Sequence, residues 1–348
     1  MTGSTAIEFG LFDWVDASGR DTATHYDERI ALVRRADARG FGRYHVAEHH
    51  GTPLGLASSP AVWLAAVARE TSRIRLVPTT FIVPLYDPLR LVQEIGMLDQ
   101  LSHGRLEIGI GKGSSPIEAG FFGFDREEMA ERYAAHTPAI LAALETGVFT
   151  DPRTGERTEL FVRPRAVPEV WYPTGNPDSV TQAASRGQNA IFGFAFRSPP
   201  LEVIREHREL YFAERARAAA ERSDAATPRF GIMRHVVVAD TDDEAFALAR
   251  AAFDEHFDSF SHLWRRAQAG QYEQTPDVHD LVDRHLFFVG SAETVREQVA
   301  HVIARTGINY LAGAFAWGGL PHEAALRSLE LFDEHVIPAV TTGSAGAR

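Results

Sequence analysis

An acid and two histidines stand side by side in the segment GFGRYHVAEHHG, Gly40–Gly51, as Glu48, His49 and His50. They directly follow the apolar, strand-like residues of that segment. In parallel α/β barrels the carboxyl ends of the strands carry the chemistry, because the loops there converge on the mouth while side chains fill the interior. Imidazole titrates near neutral pH, so a histidine at such a strand end can accept or donate a proton. The position therefore predicts a functional segment.

A metal site is a poor alternative for the same three residues. Neighbouring residues on an extended strand point to opposite faces, and the chain has no HExxH spacing that would place two imidazoles on one helical face. The chain also contains no cysteine, which excludes disulfides, thiolate metal sites and cysteine nucleophiles. We expect no metal ion.

Two further segments have the composition of an anion site. In GIGKG, Gly109–Gly113, glycines let backbone amides approach a ligand while Lys112 adds a positive charge. This run matches neither the dinucleotide fingerprint nor the P-loop, and a plain turn is the alternative. TGNPDSV, Thr174–Val180, opens a predicted helix whose free N–H groups could hold an anion, with simple capping by Asn176 or Asp178 as the alternative.

Apolar strand-like runs alternate with amphipathic helical stretches along the chain, which indicates parallel strands joined by crossover helices. Eight such runs suit closure into a (β/α)8 TIM barrel better than an open sheet. The predicted strands are Ile7–Phe12, Arg43–Ala47, Arg75–Val83, Arg105–Ile110, Val170–Thr174, Ala190–Phe194, Phe230–Ala239 and Ile308–Phe315.

The helices and insertions follow from local signals. Asp87 as N-cap and Pro88 at the first position begin a helix that Gly104 ends. A second helix is predicted from Arg126 to Glu145. Residues 147–168, rich in turn formers, read as an excursion between the fourth and fifth strands. The polar interval 256–285 is either a mobile cover or a surface helical insertion. We expect one domain over residues 1–348.

Composition limits the partners. The chain has 348 residues, 45% of them hydrophobic, and a formal net charge of −12. Without a compensating basic stripe, this charge disfavours nucleic acid. No apolar run approaches the roughly 20 residues that span a bilayer, and the amino terminus lacks the features of a secretion signal. The sequence therefore predicts a cytoplasmic protein that binds neither nucleic acid nor membrane.

Three motifs in order carry a resemblance to a known family: AEHHG at 47–51, YDPLRLVQEIGMLDQLSHGRLEIGIGKG at 86–113 and FVGSAETV at 288–295. Together they resemble the bacterial luciferase-like, flavin-dependent monooxygenases, and the resemblance covers nearly the full length. It implies a barrel that binds reduced FMN or, in some branches, a deazaflavin. The cofactor would then supply most of the chemistry, and the protein orientation and electrostatics.

The resemblance also implies residue roles. His49 matches the active-site histidine of the family, and it would act as acid and base or orient the reacting oxygen. For Glu48 and His50 two roles stay open, participation in the chemistry or a bond to His49 or to backbone. Thr79 and Thr80 match the pair on the third strand that lies against the flavin ring, where relatives often have a non-proline cis peptide.

The phosphate of the flavin has its own implied residues. Gly111, Lys112 and Gly113 match the family's phosphate loop, although many relatives have arginine at the position of Lys112, which would allow a bidentate contact. Gly175, Asn176 and Ser179 match a second segment that contributes backbone and hydroxyl contacts.

The implied activity is a monooxygenase reaction through a flavin C4a-hydroperoxide, with O2 and a small organic compound as substrates. Reduced FMN would come from a separate flavin reductase, and a homodimer is expected. A deazaflavin-dependent reductase or dehydrogenase and a non-catalytic flavin-binding paralogue are the alternatives. Aldehyde, sulfonate, terpene and ring ketone all stay open as the organic substrate.

Overall fold

The strands of the computed structural model alternate with helices along most of the chain, and the structure describes residues 7–192, 198–219, 228–268, 270, 272 and 274–342. In chain order the strands are β1 (Glu8–Asp13), β2 (Arg43–Val46), β3 (Arg75–Pro78), β4 (Phe81–Ile82), β5 (Ile108–Gly111), β6 (Val148–Thr150), β7 (Arg157–Glu159), β8 (Val170–Thr174), β9 (Asn189–Phe192), β10 (Phe230–Ala239), β11 (Phe287–Ser291) and β12 (Tyr310–Ala314).

Parallel pairing closes eight of these strands into a barrel. The order runs β3, β2, β1, β12, β10, β9, β8 and β5. The ring closes where Leu76 of β3 forms a parallel bridge with Leu106, just before β5. There the Leu76 N–H donates to the Arg105 carbonyl, and the Leu76 carbonyl accepts from the Glu107 N–H, both at 3.0 Å. The predicted (β/α)8 TIM barrel is confirmed, and each predicted strand coincides with a barrel strand to within a few residues.

Three details differ from the sequence prediction. The third strand is not continuous, because a turn at Thr79 and Thr80 separates β3 from β4. The fourth begins at Ile108 rather than Arg105. A further strand, β11, pairs with the upper half of β10, whose lower half pairs with β9. The predicted strand end at Phe194 lies outside the described residues.

Helices cover the outside of the barrel. In chain order they are α1 (Thr22–Arg39), α2 (Pro60–Glu70), α3 (Pro88–Leu101), α4 (Pro116–Phe121), α5 (Arg126–Thr146), α6 (Pro177–Ser185), α7 (Leu201–Ala219), α8 (Asp242–Arg266), α9 (Val278–Asp283), α10 (Ala292–Thr306), α11 (His322–Leu331) and α12 (Ile337–Thr342). Among the described residues, none of these helices has the length and apolar character needed to cross a membrane.

Local chemistry explains where α3 and α5 begin. The Asp87 carboxylate accepts hydrogen bonds from the N–H groups of Leu89 and Arg90, and Pro88 occupies the first position of α3, so the predicted cap is confirmed. Asp125 and Glu128 form a reciprocal capping box at the start of α5. The buried apolar residues of both helices pack against the hydrophobic core around the barrel.

The two predicted insertions have structure of their own. The excursion 147–168 contains the antiparallel hairpin of β6 and β7. The interval 256–285 begins inside α8, where His256 and Phe257 are buried, and it ends with α9. The first part of this interval is therefore core helix and not a surface insertion, because α8 continues its apolar side past His256.

The barrel interior has polar layers below the mouth. At the amino ends of the strands, Glu107 accepts hydrogen bonds from Arg43 Nε at 2.8 Å and from Trp171 Nε1 at 2.5 Å. One layer higher, His45 of β2 lies between Thr79 and Tyr310, with 2.8 Å from a ring nitrogen to each hydroxyl. These side chains fill the barrel, so a ligand can approach only from the carboxyl ends of the strands.

Candidate active site

Strand β2 delivers Glu48, His49 and His50 to the mouth of the barrel, and the first and last of them form a pair. Glu48 Oε1 lies 2.9 Å from His50 Nε2, as expected for residues two apart on one face of an extended segment. The other carboxylate oxygen accepts the backbone N–H of Ile82 at 2.9 Å. Glu48 therefore joins the end of β2 to β4 and orients His50 rather than His49.

Burial decides the electrostatics of this pair. Glu48 is 4% exposed, and burial raises the pKa of its carboxyl, while the hydrogen bonds with His50 and with the Ile82 N–H act in the opposite direction. Of the two roles left open for Glu48, the bond to backbone is the one that the structure shows. A part in the chemistry stays a prediction.

His49 points the other way and meets a residue that the sequence did not single out. Its Nδ1 lies 3.2 Å from Glu118 Oε1, while Glu118 Oε2 accepts the backbone N–H of His50 at 2.8 Å. Burial acts to raise the pKa of the Glu118 carboxyl, but its hydrogen bonds with His49 and the His50 N–H together hold it below its usual value. The His49 side chain is 24% exposed.

The sequence around Glu118 indicates only the start of a helix. Ser115, Pro116 and Glu118 have the spacing of a helix N-terminus, and the Ser115 hydroxyl does accept the Glu118 N–H at 3.2 Å. A capping role explains the pattern fully without a catalytic site. Only the tertiary fold shows that the carboxylate turns away from its own helix and toward His49.

The predicted flavin-facing pair occupies the turn between β3 and β4. The peptide bond between Thr79 and Thr80 is cis. The buried hydroxyl of Thr79 is engaged with His45 inside the barrel, and burial lowers the pKa of His45 to about 3. Thr80 is half-buried beside Gly111, where an added Cβ would lie 2.4 Å from the Thr80 hydroxyl. Contact of this pair with a flavin stays a prediction.

The register of β5 and β8 brings the two predicted phosphate segments to neighbouring strand ends. Gly109 pairs with Trp171, so continuing the register places Lys112 level with Thr174, one residue before Gly175. Lys112 is exposed, and it has no ion-pair partner among the residues that the structure describes. The amine is therefore available for an anion at this edge.

The amino terminus of α6 is capped by its own residues. Asn176 is the N-cap, its Oδ1 accepts the Ser179 N–H at 2.9 Å, and the Ser179 hydroxyl accepts the N–H groups of Gly175 and Asn176 at 3.1 and 3.2 Å. The capping alternative is thus present in the structure. Phosphate binding by these three residues stays a prediction.

The residues at this edge fit a flavin that carries a phosphate. Among the described residues Lys112 has no carboxylate partner, and Gly175 faces open space where a Cβ would meet no atom within 4 Å. Close approach of a ligand to backbone is thus possible. No group of three or more histidine or acidic side chains within the described part of the chain could hold a metal ion.

The profile of the luciferase-like monooxygenase family matches residues 7–310. The chain belongs to this family. An uncharacterised protein of Sinorhizobium fredii (strain NBRC 101917 / NGR234), y4wF, is 34% identical over 92% of this chain and 93% of its own length. The oxygenase component of flavin-dependent trigonelline monooxygenase from Acinetobacter baylyi is 26% identical over 93% and 92%.

Solved structures share the fold. The oxygenating constituent of 3,6-diketocamphane monooxygenase from Pseudomonas putida, a type II Baeyer–Villiger monooxygenase in complex with FMN, superposes with a TM-score of 0.80 at 23% identity, over 96% of this chain and 99% of that one. An F420-dependent secondary alcohol dehydrogenase superposes with a TM-score of 0.69 at 16% identity, over 96% and 99%. The luciferase-like chain is an enzyme of the flavin-dependent monooxygenase type.

Proposed function

We propose that this luciferase-like enzyme uses reduced FMN and O2 to oxygenate a small organic substrate. The balance is one FMNH2, one O2 and one substrate giving FMN, water and the oxygenated product. The bound flavin supplies the two electrons and activates the oxygen. The observation that carries the proposal is His49, a partly exposed imidazole that a buried carboxylate anchors at the mouth of the barrel.

The chain's own residues would divide the work as follows. His49 moves a proton at the mouth, and Glu48 holds β4 and His50 in place. Thr79 and Thr80 would support the flavin ring. The phosphate would lie against Gly111, Lys112, Gly113, Gly175, Asn176 and Ser179. Since one relative is named as the oxygenase component of a flavin-dependent monooxygenase, we propose that a separate flavin reductase supplies the reduced FMN.

A binding and oxidation experiment tests this function without knowledge of the substrate. Purified protein is titrated anaerobically with photoreduced FMN, and separately with a reduced deazaflavin, and each mixture is then exposed to oxygen. We expect one FMN per chain and an oxygen uptake that changes in His49→Ala. Binding of the deazaflavin alone, with no oxygen uptake, would instead establish the reductase alternative. Tight FMN binding with identical uptake in both proteins would indicate a non-catalytic paralogue.

We also propose a homodimer and a cytoplasmic location. Apolar side chains stand out on α2, on α3 and on the segment that lies along α3, with Val62 72%, Met97 54% and Phe161 92% exposed. A second copy would bury them. Phe161→Glu should convert a dimer to a monomer in light scattering, while a monomeric wild type would refute the proposal.

The cytoplasm is the compartment where a reductase can deliver reduced FMN.

A further inference from the structure

We infer that Glu118 sets the tautomer of His49, so that Nδ1 carries the hydrogen and Nε2 is presented at the mouth as the proton acceptor. The inference rests on the proposed function for the use of that acceptor, but the tautomer itself is independent of it. Glu118 is on this account a positioning residue that acts through His49.

The hydrogen-bond count fixes the direction. An ionised carboxylate can only accept hydrogen bonds, and both oxygens of Glu118 are used, one toward His49 Nδ1 at 3.2 Å and one from the His50 N–H at 2.8 Å. His49 must therefore donate from Nδ1. In the neutral ring, Nε2 then holds a lone pair, and it has no hydrogen-bond partner among the described residues.

The two histidines of the motif are hydrogen-bonded through different ring nitrogens. Glu48 occupies Nε2 of His50, the ring nitrogen farther from the backbone. Glu118 occupies Nδ1 of His49, the nearer one, and leaves the outer nitrogen available. The adjacent histidines therefore have different roles. Nε2 of His50 is bonded to Glu48, whereas Nε2 of His49 faces the mouth, where a substrate or cofactor would bind.

The carboxylate of Glu118 is held firmly enough to control a tautomer. Its side chain is 8% exposed, and α4 rests on the loop after β2. Phe121 lies against Gly51, so close that an added Cβ there would be 2.5 Å from the ring. The Phe122 ring meets the His50 ring edge to face, with 4.8 Å between centroids. The acid and the histidine thus cannot separate without moving α4.

The wild-type protein gives the first test. Two-dimensional ¹⁵N–¹H NMR of the histidine rings at neutral pH distinguishes the two tautomers, and the His49 signals are assigned by their loss in His49→Gln. We expect His49 with hydrogen on Nδ1. An Nε2-protonated ring in the wild type would overturn the inference.

Glu118→Gln gives the second test, because an amide has one acceptor where the carboxylate has two. If its oxygen keeps the shorter bond from the His50 N–H, its NH2 group faces His49 Nδ1 and forces the hydrogen onto Nε2. We expect the NMR pattern of His49 to invert, and oxygen transfer to fall on the order of 100-fold or more, with FMN affinity changed less than about threefold.

Glu94→Gln on α3 is the matched control, since Glu94 forms an ion pair with Arg90 on the same helix. It should change neither the spectrum nor the rate. A Glu118→Gln protein with an inverted tautomer but a wild-type rate would overturn the role of Nε2. If the wild type shows the expected tautomer yet binds no reduced FMN, the proposed function fails and the tautomer assignment stands.

Discussion

Two histidine–carboxylate clusters in this protein use the same chemical groups and have opposite accessibility. The mouth cluster consists of Glu48, His49, His50 and Glu118. The sealed cluster consists of Asp16, Arg29, His235 and His256, where His256 Nδ1 lies 2.7 Å from Asp16 Oδ2 and its Nε2 lies 3.2 Å from His235 Nε2. The His256 side chain is 1% exposed, against 24% for His49.

The sealed cluster holds distant parts of the chain together. The Asp16 carboxylate, just after β1, also accepts the Gly318 N–H at 2.7 Å and a guanidinium N–H of Arg29 at 3.0 Å. It thereby ties α1, α8 and the loop after β12 to the barrel. His256 is bonded at both ring nitrogens inside the core, whereas Nε2 of His49 has no partner among the described residues. We therefore expect a histidine–acid pair to be catalytic only where one ring nitrogen is left for a ligand.

The largest effect is expected at the mouth cluster, where removal of His49 should lower the rate of oxygen transfer. His49→Ala is expected to reduce oxygen transfer by about 10²–10⁴-fold, because the proton acceptor at the mouth is lost. The rate is measured as ¹⁸O incorporation from ¹⁸O2 into whichever of limonene, camphor and decanal the wild type oxidises. The melting temperature should change little. An unchanged rate would remove His49 from the chemistry.

Removal of His256 from the sealed cluster should lower the stability of the fold. His256→Ala leaves the buried carboxylate of Asp16 short of a partner and opens a cavity, which should cost about 3–5 kcal/mol of unfolding free energy. Urea denaturation measures this, with the exposed His335→Ala as control at less than about 0.5 kcal/mol. A loss equal to that of the control would show that the sealed cluster contributes no net stability.

Acid should destabilise the folded protein through the sealed cluster. Burial lowers the pKa of His235 well below 6.5, so the unfolded chain binds more protons than the folded chain as the pH falls through about 6.5. The free energy of unfolding should therefore decrease below that pH. His235→Asn should flatten this dependence in denaturation curves between pH 7 and 5, whereas an equal slope in both proteins would contradict the assignment.

The smallest effect is expected at the edge of the mouth. Lys112→Ala should weaken FMN binding by about tenfold, since one charge-assisted contact is lost, and should leave riboflavin binding unchanged because riboflavin has no phosphate. Lys112→Arg should bind FMN at least as tightly as the wild type, because arginine can make a bidentate contact with the phosphate. Fluorescence titration with both flavins measures the ratio, and an equal loss for FMN and riboflavin would remove Lys112 from the phosphate site.

Local signals made much of the fold predictable. Asp87 and Pro88 marked the start of α3, and strands such as β8 and β10 were placed to the residue, because apolar runs bounded by turn formers have few other solutions. The sequence analysis predicts no strand at Phe287–Ser291, where the structure has β11 paired with the upper half of β10. His256 falls in the interval predicted as polar, although the buried Ala252, Phe253 and Phe257 around it continue the apolar side of α8.

The sequence by itself determined the alternation of strands and helices, the strand end that carries Glu48, His49 and His50, and the family that these motifs resemble. Only the tertiary structure decided that Glu48 bonds to His50 and Ile82, and that Glu118, 69 positions after His49, is the acid that meets it. The physical reason is range. Periodicity and capping act between neighbours a few residues apart, whereas the hydrogen bonds of a site depend on which strand ends the closed barrel brings together.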